Sequence, residues 1–170
     1  MTTPPLTKYQ VGVAAEAFAA CLLSQSGCDV SIQYGANQPG YDLTASKCGR
    51  VLHVSVKGSQ DGGWGLSQRF KNSGTSYLDA AELWCAAQAA HLTFCFVQFQ
   101  RVAVGGLPRA YLATPREVAE QLKCSRGGSG NTILYEDHRG VRGAGKDFQN
   151  KIPTHWLATM ERVDELLRGG

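Results

Sequence analysis

The chain lacks the features that most directly mark a zinc site, a membrane span or an exported protein. Its six cysteines include no Cys-x-x-Cys pair and its four histidines are dispersed, so the spacing typical of a zinc site is absent. No apolar run approaches the roughly 18 residues that a spanning helix needs, and the opening residues MTTPPLTKYQ hold no apolar signal core. We therefore expect a reduced, cytoplasmic protein without a membrane partner.

Charge is also sparse. The 17 Lys and Arg residues against 14 Asp and Glu residues leave a net charge of +3, which permits a nucleic-acid partner without specifying one. At 170 residues, 43% of them hydrophobic, the chain is long enough to bury one core, so we expect a single domain over 1–170. Residues 1–7 are a Pro/Thr-rich lead-in that we expect to fray, and 125–150 is a Gly-rich, basic strand and loop region.

Apolar spacing predicts an alternation of helices and strands. Val11, Ala15, Phe18 and Leu22 recur at helical intervals, and Gly27 ends that pattern. Ser76 and Thr114 each precede an acidic residue by three positions, which is typical of a helix start. We predict helices at 8–26, 76–90, 114–124 and 154–168, and strands at 29–34, 41–45, 51–57, 92–99, 110–113 and 132–135.

The stretch 40–58, GYDLTASKCGRVLHVSVKG, contains the most informative pattern. It predicts two strands joined by a turn at Gly49. Its second half alternates apolar and polar residues, so a strand there would bury one set and leave the other as a polar ridge. The buried set is Leu52, Val54 and Val56, and the ridge is His53, Ser55 and Lys57. Asp42, on the neighbouring strand, is within reach of that ridge, and an acid beside an amine suits a divalent metal and a phosphate.

These residues resemble the signature of the PD-(D/E)XK nucleases, the superfamily of many restriction enzymes and Holliday-junction resolvases. The family carries an Asp at the start of one strand, an acidic residue, any residue and Lys on the next, and often a Glu on the preceding helix. Asp42, Lys57 and Glu16 match those positions, whereas Ser55 stands in the place of the second acid. The resemblance implies a three-layer α/β/α, restriction-endonuclease-like fold with a central mixed sheet.

The resemblance also implies a chemistry, the hydrolysis of DNA phosphodiesters with Mg²⁺ or Mn²⁺. Asp42 and Glu16 would bind the metal, and Lys57 would neutralise the phosphate or help to deprotonate the water. Ser55 completes the catalytic set as a neutral hydroxyl, which removes one charged ligand and weakens the metal site. Because Ser55 points away from the apolar face of its strand, we expect the substitution Ser55→Glu to leave the core undisturbed.

Two basic segments provide candidates for contacts to DNA. The glycine-rich, polar segment 58–75 combines basic residues with Trp64 and Phe70, and the segment 137–151 is basic and glycine-rich. A plain surface loop with one anchoring Trp is an equally good interpretation of the first segment. The candidate nucleic-acid-binding residues are Arg69, Lys71, Arg139, Arg142 and Lys146. We expect these five side chains to face the same side as the candidate site.

Three functions stay open. The first is a metal-dependent DNA endonuclease weakened by Ser55. The second is a nuclease-fold protein that has lost catalysis and binds DNA or serves as an interaction partner. The third is nucleotide binding, because 140–147, GVRGAGKD, nearly spells the phosphate-binding loop GxxxxGK[ST], although Asp147 replaces the required hydroxyl. We interpret that match as chance. The expected partners are DNA and, in a homodimer, a second copy of the chain.

Overall fold

The computed structural model describes residues 6–33, 40–142 and 146–169. Helices and strands alternate along most of its length. In chain order the elements are α1 (Lys8–Gln25), β1 (Asp29–Ile32), β2 (Leu43–Lys47), β3 (Arg50–Ser59), β4 (Gly63–Gly65), α2 (Tyr77–Ala86), β5 (Leu92–Gln98), β6 (Arg109–Ala113), α3 (Pro115–Gly128), β7 (Ile133–Tyr135), β8 (Asp137–Arg142), β9 (Lys146–Lys151) and α4 (Met160–Gly169).

Five of the strands form one mixed sheet in the order β1-β2-β3-β5-β6. The first three pair antiparallel as a meander, β3 and β5 pair parallel, and β6 returns antiparallel to β5. The connection between the two parallel strands contains α2, as a crossover requires. The predicted α/β class with a mixed sheet is therefore confirmed. Two smaller sheets pair β4 with β7 and β8 with β9.

Helices cover both faces of the five-stranded sheet. On one face α1 and α4 enclose a core that contains Val54 and Leu112. On the other face α2 and α3 enclose a second core that contains Phe94, Phe96 and Trp156. Because strand β5 is flanked by β3 and β6 and covered on both faces, all seven of its residues are buried, as its continuous apolar run predicts. Within the described residues, no helix combines the length and the apolar character that crossing a membrane demands.

The helix starts follow from local hydrogen bonding. Thr7, Ser76 and Thr114 each precede a helix, and each hydroxyl accepts a hydrogen bond from the backbone N–H three residues later. The side chain at that third position in turn binds the N–H of the capping residue, so two unpaired donors are satisfied at each start. The starts predicted at Ser76 and Thr114 are confirmed.

The last helix begins later than predicted. Thr154–Trp156 is a 3₁₀ turn rather than the first turn of the helix, and α4 starts at Met160. Between them the chain pairs with the edge of β6, where Leu157 bridges Tyr111 and the N–H of Ala158 donates to the sheet at 3.0 Å. Pairing with the sheet edge satisfies this backbone, so the predicted start at Thr154 is wrong.

A two-residue turn fixes the register between β2 and β3. Cys48 and Gly49 both have positive φ, 52° and 76°, the combination that a tight hairpin with right-handed twist requires. The predicted turn at Gly49 is thereby confirmed. The resulting register pairs Leu43 with Val54, so Asp42, one residue earlier, lies opposite Ser55.

Gly58 sets the distance between α1 and the sheet. A Cβ atom added to Gly58 would lie 2.8 Å from both the Val11 carbonyl oxygen and a Val11 methyl, and 2.9 Å from the Ala15 Cβ. Only glycine allows such an approach of a strand backbone to a helix. This contact brings the middle of α1, with Glu16 next to Ala15, to the end of β3.

We expect Gly58→Ala to lower the free energy of unfolding by about 1–3 kcal/mol, because α1 must move away from the sheet. Gly12→Ala, on the same helix, is the matched control. A Cβ at Gly12 meets nothing within 4 Å, and alanine favours a helix, so that change should be neutral or stabilising by up to about 1 kcal/mol. Chemical denaturation measures both changes, and equal stabilities for the two variants would contradict the close packing.

Candidate functional site

Asp42 lies at the point where β2 diverges from β3. Its backbone N–H still donates to the Val54 carbonyl at 2.8 Å, one residue beyond the paired register of the two strands. Past this point, β2 no longer supplies a backbone acceptor to β3. The Asp42 carboxylate takes over that role, because its Oδ2 atom accepts the Val56 N–H at 2.6 Å. The other carboxylate oxygen, Oδ1, has no hydrogen-bond partner among the described residues.

Ser55 contacts the same carboxylate but does not lie on an open ridge. Its hydroxyl donates to Asp42 Oδ2 at 3.3 Å, and its neighbour on β5 is Phe94. Only 5% of Ser55 is exposed, because the second core extends under this face of the sheet. The expectation of a solvent-lined ridge is therefore wrong at Ser55, as is the expectation that Ser55→Glu would leave the core undisturbed.

Lys57 follows on the same face of β3 and is exposed. It lines a cleft of about 410 Å³, the far wall of which includes Trp64. The Trp64 indole N–H donates to the Lys57 carbonyl at 2.8 Å, while its ring packs on Phe96 in the second core. Trp64 thus anchors the loop after β3 and fixes one side of the cleft, so the anchoring interpretation of this Trp is confirmed.

Glu16 reaches this region from α1 and is partly buried. Burial, which disfavours the charged form, raises the pKa of the Glu16 carboxyl, and the negative charge of Asp42 raises it further. The positive charge of Lys57 opposes both effects. Glu16, predicted from a different element, therefore lies close enough to Asp42 and Lys57 for their charges to act on it.

Asp61 was not predicted from the sequence. It lies in the wall of the cleft and accepts a hydrogen bond from the Ser59 hydroxyl at 2.8 Å. Gln60, three residues after Lys57, also lines the cleft, and its amide forms two hydrogen bonds with the Leu6 backbone, at 2.6 and 3.0 Å, that hold Leu6 in place. Alternation along β3 would have placed Ser59 on the face of Lys57, but no local pattern marks the contact between Gln60 and Leu6.

The donor set fits a weakly bound Mg²⁺ or Mn²⁺. Asp42 and Glu16 supply two carboxylates, and Asp42 Oδ1 is without a partner in the described part of the chain. Hard divalent ions prefer such oxygen ligands and keep several water molecules when the protein supplies few. Across 6–33, 40–142 and 146–169, no group of three or more His, Cys, Asp or Glu side chains is placed to hold a metal. At position 55, serine supplies a hydroxyl and no carboxylate to such a group.

The five predicted DNA-binding residues fall into two groups. Arg69 belongs to the 3₁₀ turn Gln68–Phe70 that follows β4, and Lys71 comes directly after it. Arg139 is exposed on β8, Arg142 ends β8, and Lys146 opens β9 opposite it. The side chains of Arg142 and Lys146 lie outside the described residues.

The segment GVRGAGKD does not have the architecture of a phosphate-binding loop. Its two ends belong to the paired strands β8 and β9, whereas a phosphate-binding loop must open a helix. Residues 143–145 lie outside the described residues. The interpretation as a chance match is supported by this strand pairing.

The pKa of Glu16 provides a test of the proximity of the three side chains. Asp42→Asn retains an acceptor for the Val56 N–H but removes a charge that raises the Glu16 pKa, so that pKa should fall. Lys57→Met removes the opposing charge, so the pKa should rise. Carboxyl NMR titration of Glu16 in the three proteins measures both changes.

The sign of this pKa shift also predicts a pH dependence. Because the Glu16 pKa is raised on folding, its contribution to stability is present below the ordinary glutamate pKa and is lost as the pH rises through the raised value. The contribution should shrink in Asp42→Asn. A Glu16 pKa that neither substitution alters would contradict the placement of Glu16 beside the other two residues.

Comparisons of the chain with known protein families, with curated proteins and with solved structures found no match.

Proposed function

We propose that the protein is a divalent-metal-dependent DNA endonuclease of the PD-(D/E)XK type, weakened by Ser55. The observation that carries this proposal is the position of the Asp42 carboxylate, held at the divergence of β2 and β3 with one oxygen that has no partner in the described part of the chain. Lys57 lies on the same strand face as Ser55, and Glu16 senses the charges of both Asp42 and Lys57. An acid pair and an amine at one strand end form the set that the resemblance to this superfamily implies.

The order of elements gives further support. A helix, a three-stranded antiparallel meander, a crossover helix and a parallel strand follow one another from α1 to β5. This is the order that we expect for the restriction-endonuclease-like fold. Fold alone does not carry function, so the proposal depends on the charged residues at the strand ends.

Each residue of the site has a distinct role in the proposed reaction. A bound Mg²⁺ or Mn²⁺ would supply an activated water and would neutralise charge on the phosphate. Asp42 presents one fixed oxygen, because its other oxygen is held by Val56 and Ser55. The raised pKa of Glu16 lets it take up or release a proton closer to neutral pH than an ordinary glutamate. Lys57, exposed at the cleft, places a positive charge where a phosphate would enter.

The second candidate is a scaffold of the same fold that has lost catalysis and binds DNA or another partner. The specific observation in its favour is that Asp42 already has a structural role. Its Oδ2 atom satisfies a backbone N–H and a buried hydroxyl, which is reason enough for an aspartate at this position. With Ser55 in place of the second acid, the site lacks the additional negative charge that a metal ion would have to neutralise. The two candidates therefore differ in catalysis and not in architecture.

Plasmid nicking separates the two candidates. We expect the native protein to nick slowly with Mn²⁺ and poorly or not at all with Mg²⁺, because one charged ligand is missing. Asp42→Asn, which keeps the hydrogen bond to Val56, should abolish the Mn²⁺-dependent nicking at unchanged stability. The same amount of Asp29→Asn protein is the control, because it removes the same charge from an exposed position on β1 that does not line the cleft. Robust nicking that Asp42→Asn leaves unaltered would show that the site lies elsewhere, and no nicking with either metal would favour the scaffold.

Thermal denaturation of Ser55→Glu tests the metal site without an activity assay. A carboxylate at this buried position faces Asp42, so in EDTA the melting temperature should fall by roughly 4–8 °C for about 2 kcal/mol of destabilisation. Mn²⁺ should restore much of that loss by neutralising the pair, and nicking should increase. Ser55→Gln has the same shape without the charge and should lose stability without recovering it in Mn²⁺. Equal responses of the two variants to Mn²⁺ would contradict metal binding here.

A further inference from the structure

A cluster of cations surrounds one tyrosine at the start of α2. The Lys71 ammonium lies 5.0 Å from the centre of the Tyr77 ring, and the Arg126 guanidinium lies 5.6 Å from it. Next to Lys71, the Arg69 guanidinium lies 4.7 Å from the Phe70 ring. We call these five residues the Tyr77 cluster. It combines three cations with two aromatic rings from three separate segments of the chain.

The three cations of the Tyr77 cluster are not neutralised by carboxylates. Within the described ranges, neither Arg69, Lys71 nor Arg126 has a carboxylate oxygen within 4 Å. Arg116 and Lys123, in the helical part of α3, behave differently. Lys123 binds Glu82 at 2.6 Å, and Arg116 binds the same carboxylate at 3.0 Å. Within the described residues, these two cations are therefore paired with a carboxylate, whereas the cations of the Tyr77 cluster, including Arg126 near the end of α3, are not.

Arg126 occupies a backbone conformation that favours glycine. Its φ of 55° and ψ of 41° lie in the left-handed region, which costs a non-glycine residue about 1–2 kcal/mol. The Asn150 side chain holds this conformation by accepting the Arg126 N–H at 2.8 Å. The backbone contact would be the same with glycine, so the structural return from the arginine side chain is its contact with the Tyr77 ring, worth about 0.5–1 kcal/mol. A strained residue with so small a structural return is a reason to look for a binding role.

We propose that the Tyr77 cluster is a contact surface for the phosphodiester backbone of a polynucleotide. The three cations would bind successive phosphates, and the rings of Tyr77 and Phe70 hold the cations at the surface. Aromatic rings interleaved with basic residues are typical of surfaces that bind single-stranded nucleic acids. A polynucleotide that enters the cleft beside Lys57 would present such phosphates in a row, and an acidic peptide is the alternative that competition with polyglutamate tests.

The Tyr77 cluster lies within reach of a strand that occupies the cleft beside Lys57. Leu66 lines that cleft, and Arg69 follows it by three residues, so their Cα atoms are at most about 11 Å apart. The inference therefore deepens the proposed function, on which it rests for its substrate. Binding can nevertheless be measured in EDTA, where metal-dependent cutting cannot occur, so that each proposal can fail separately.

The test is the substitution Arg126→Gly, which the backbone itself favours. The free energy of unfolding of this variant should equal that of the native protein or exceed it by up to about 1 kcal/mol, because glycine adopts positive φ at little cost. Binding to a fluorescent 20-nucleotide single strand in EDTA should weaken roughly three- to tenfold at low salt. The slope of log affinity against log salt should fall by about 0.7 for each phosphate that the variant no longer neutralises. Lys71→Gln should have a similar effect.

Arg101→Gly is the matched control. Arg101 is exposed and has a φ of 61°, so this substitution removes the same charge from the same kind of backbone. Arg101 takes no part in the ring contacts of the Tyr77 cluster. We expect its removal to leave the affinity within twofold of the native value. A blunt-ended duplex of the same sequence forms a second arm, which tells whether the surface prefers single or paired strands.

Several outcomes would overturn the inference. Equal weakening by Arg126→Gly and Arg101→Gly would show that net charge alone drives binding, and no weakening by either would show that the strand binds elsewhere. Displacement of the strand by polyglutamate at matched charge would show a general anion surface. Unchanged binding in Arg126→Gly, in a protein that does nick plasmid, would contradict only this inference. Binding by the Tyr77 cluster in a protein that never nicks would contradict only the nuclease.

Discussion

The hydrogen bond from the Val56 N–H to the Asp42 carboxylate is the contact on which the candidate site depends. Where β2 diverges from β3, a buried strand would otherwise carry an unsatisfied N–H, at a cost of about 1–3 kcal/mol. The carboxylate removes that cost and is itself fixed in place by the strand. One oxygen accepts these structural hydrogen bonds, and the other has no hydrogen-bond partner among the described residues. The same 2.6 Å contact therefore holds the divergence open and orients the first acid of the site.

The other charged groups reach this point through backbone packing. Gly58 lets α1 approach β3 closely enough for Glu16 to sense Asp42 and Lys57. On the far side of the sheet, Trp64 anchors the loop that closes the cleft. Neither contact involves a charged side chain. Even so, Gly58 fixes the position of α1, and Trp64 fixes the position of one wall of the cleft. The site is thus a consequence of how tightly a helix and a loop pack on one strand.

The sequence predicted the parts of this arrangement that have a local cause. Period-two alternation predicted β3, the glycine predicted the hairpin turn, and residue types three apart predicted the starts at Ser76 and Thr114. Alternation says that the two faces of a strand differ, but it cannot say that a second core covers the polar face, so the burial of Ser55 was missed. The start of α4 was missed for a similar reason, because the strand-like pairing of Leu157 is a long-range contact. The predicted DNA, metal and homodimer partners remain predictions.

The burial of Ser55 and the structural use of Asp42 explain each other. An acid at position 55 would place a second carboxylate beside Asp42 in a buried environment. The two carboxylates would repel each other unless a cation lay between them, because desolvation strengthens their repulsion. A hydroxyl at position 55 instead donates a hydrogen bond to the acid, and this bond needs no cation. The serine therefore makes the strand end stable in the absence of a cation, at the expense of affinity for one. In the proposed nuclease, cutting would then depend on how well Asp42 and Glu16 alone hold a metal ion.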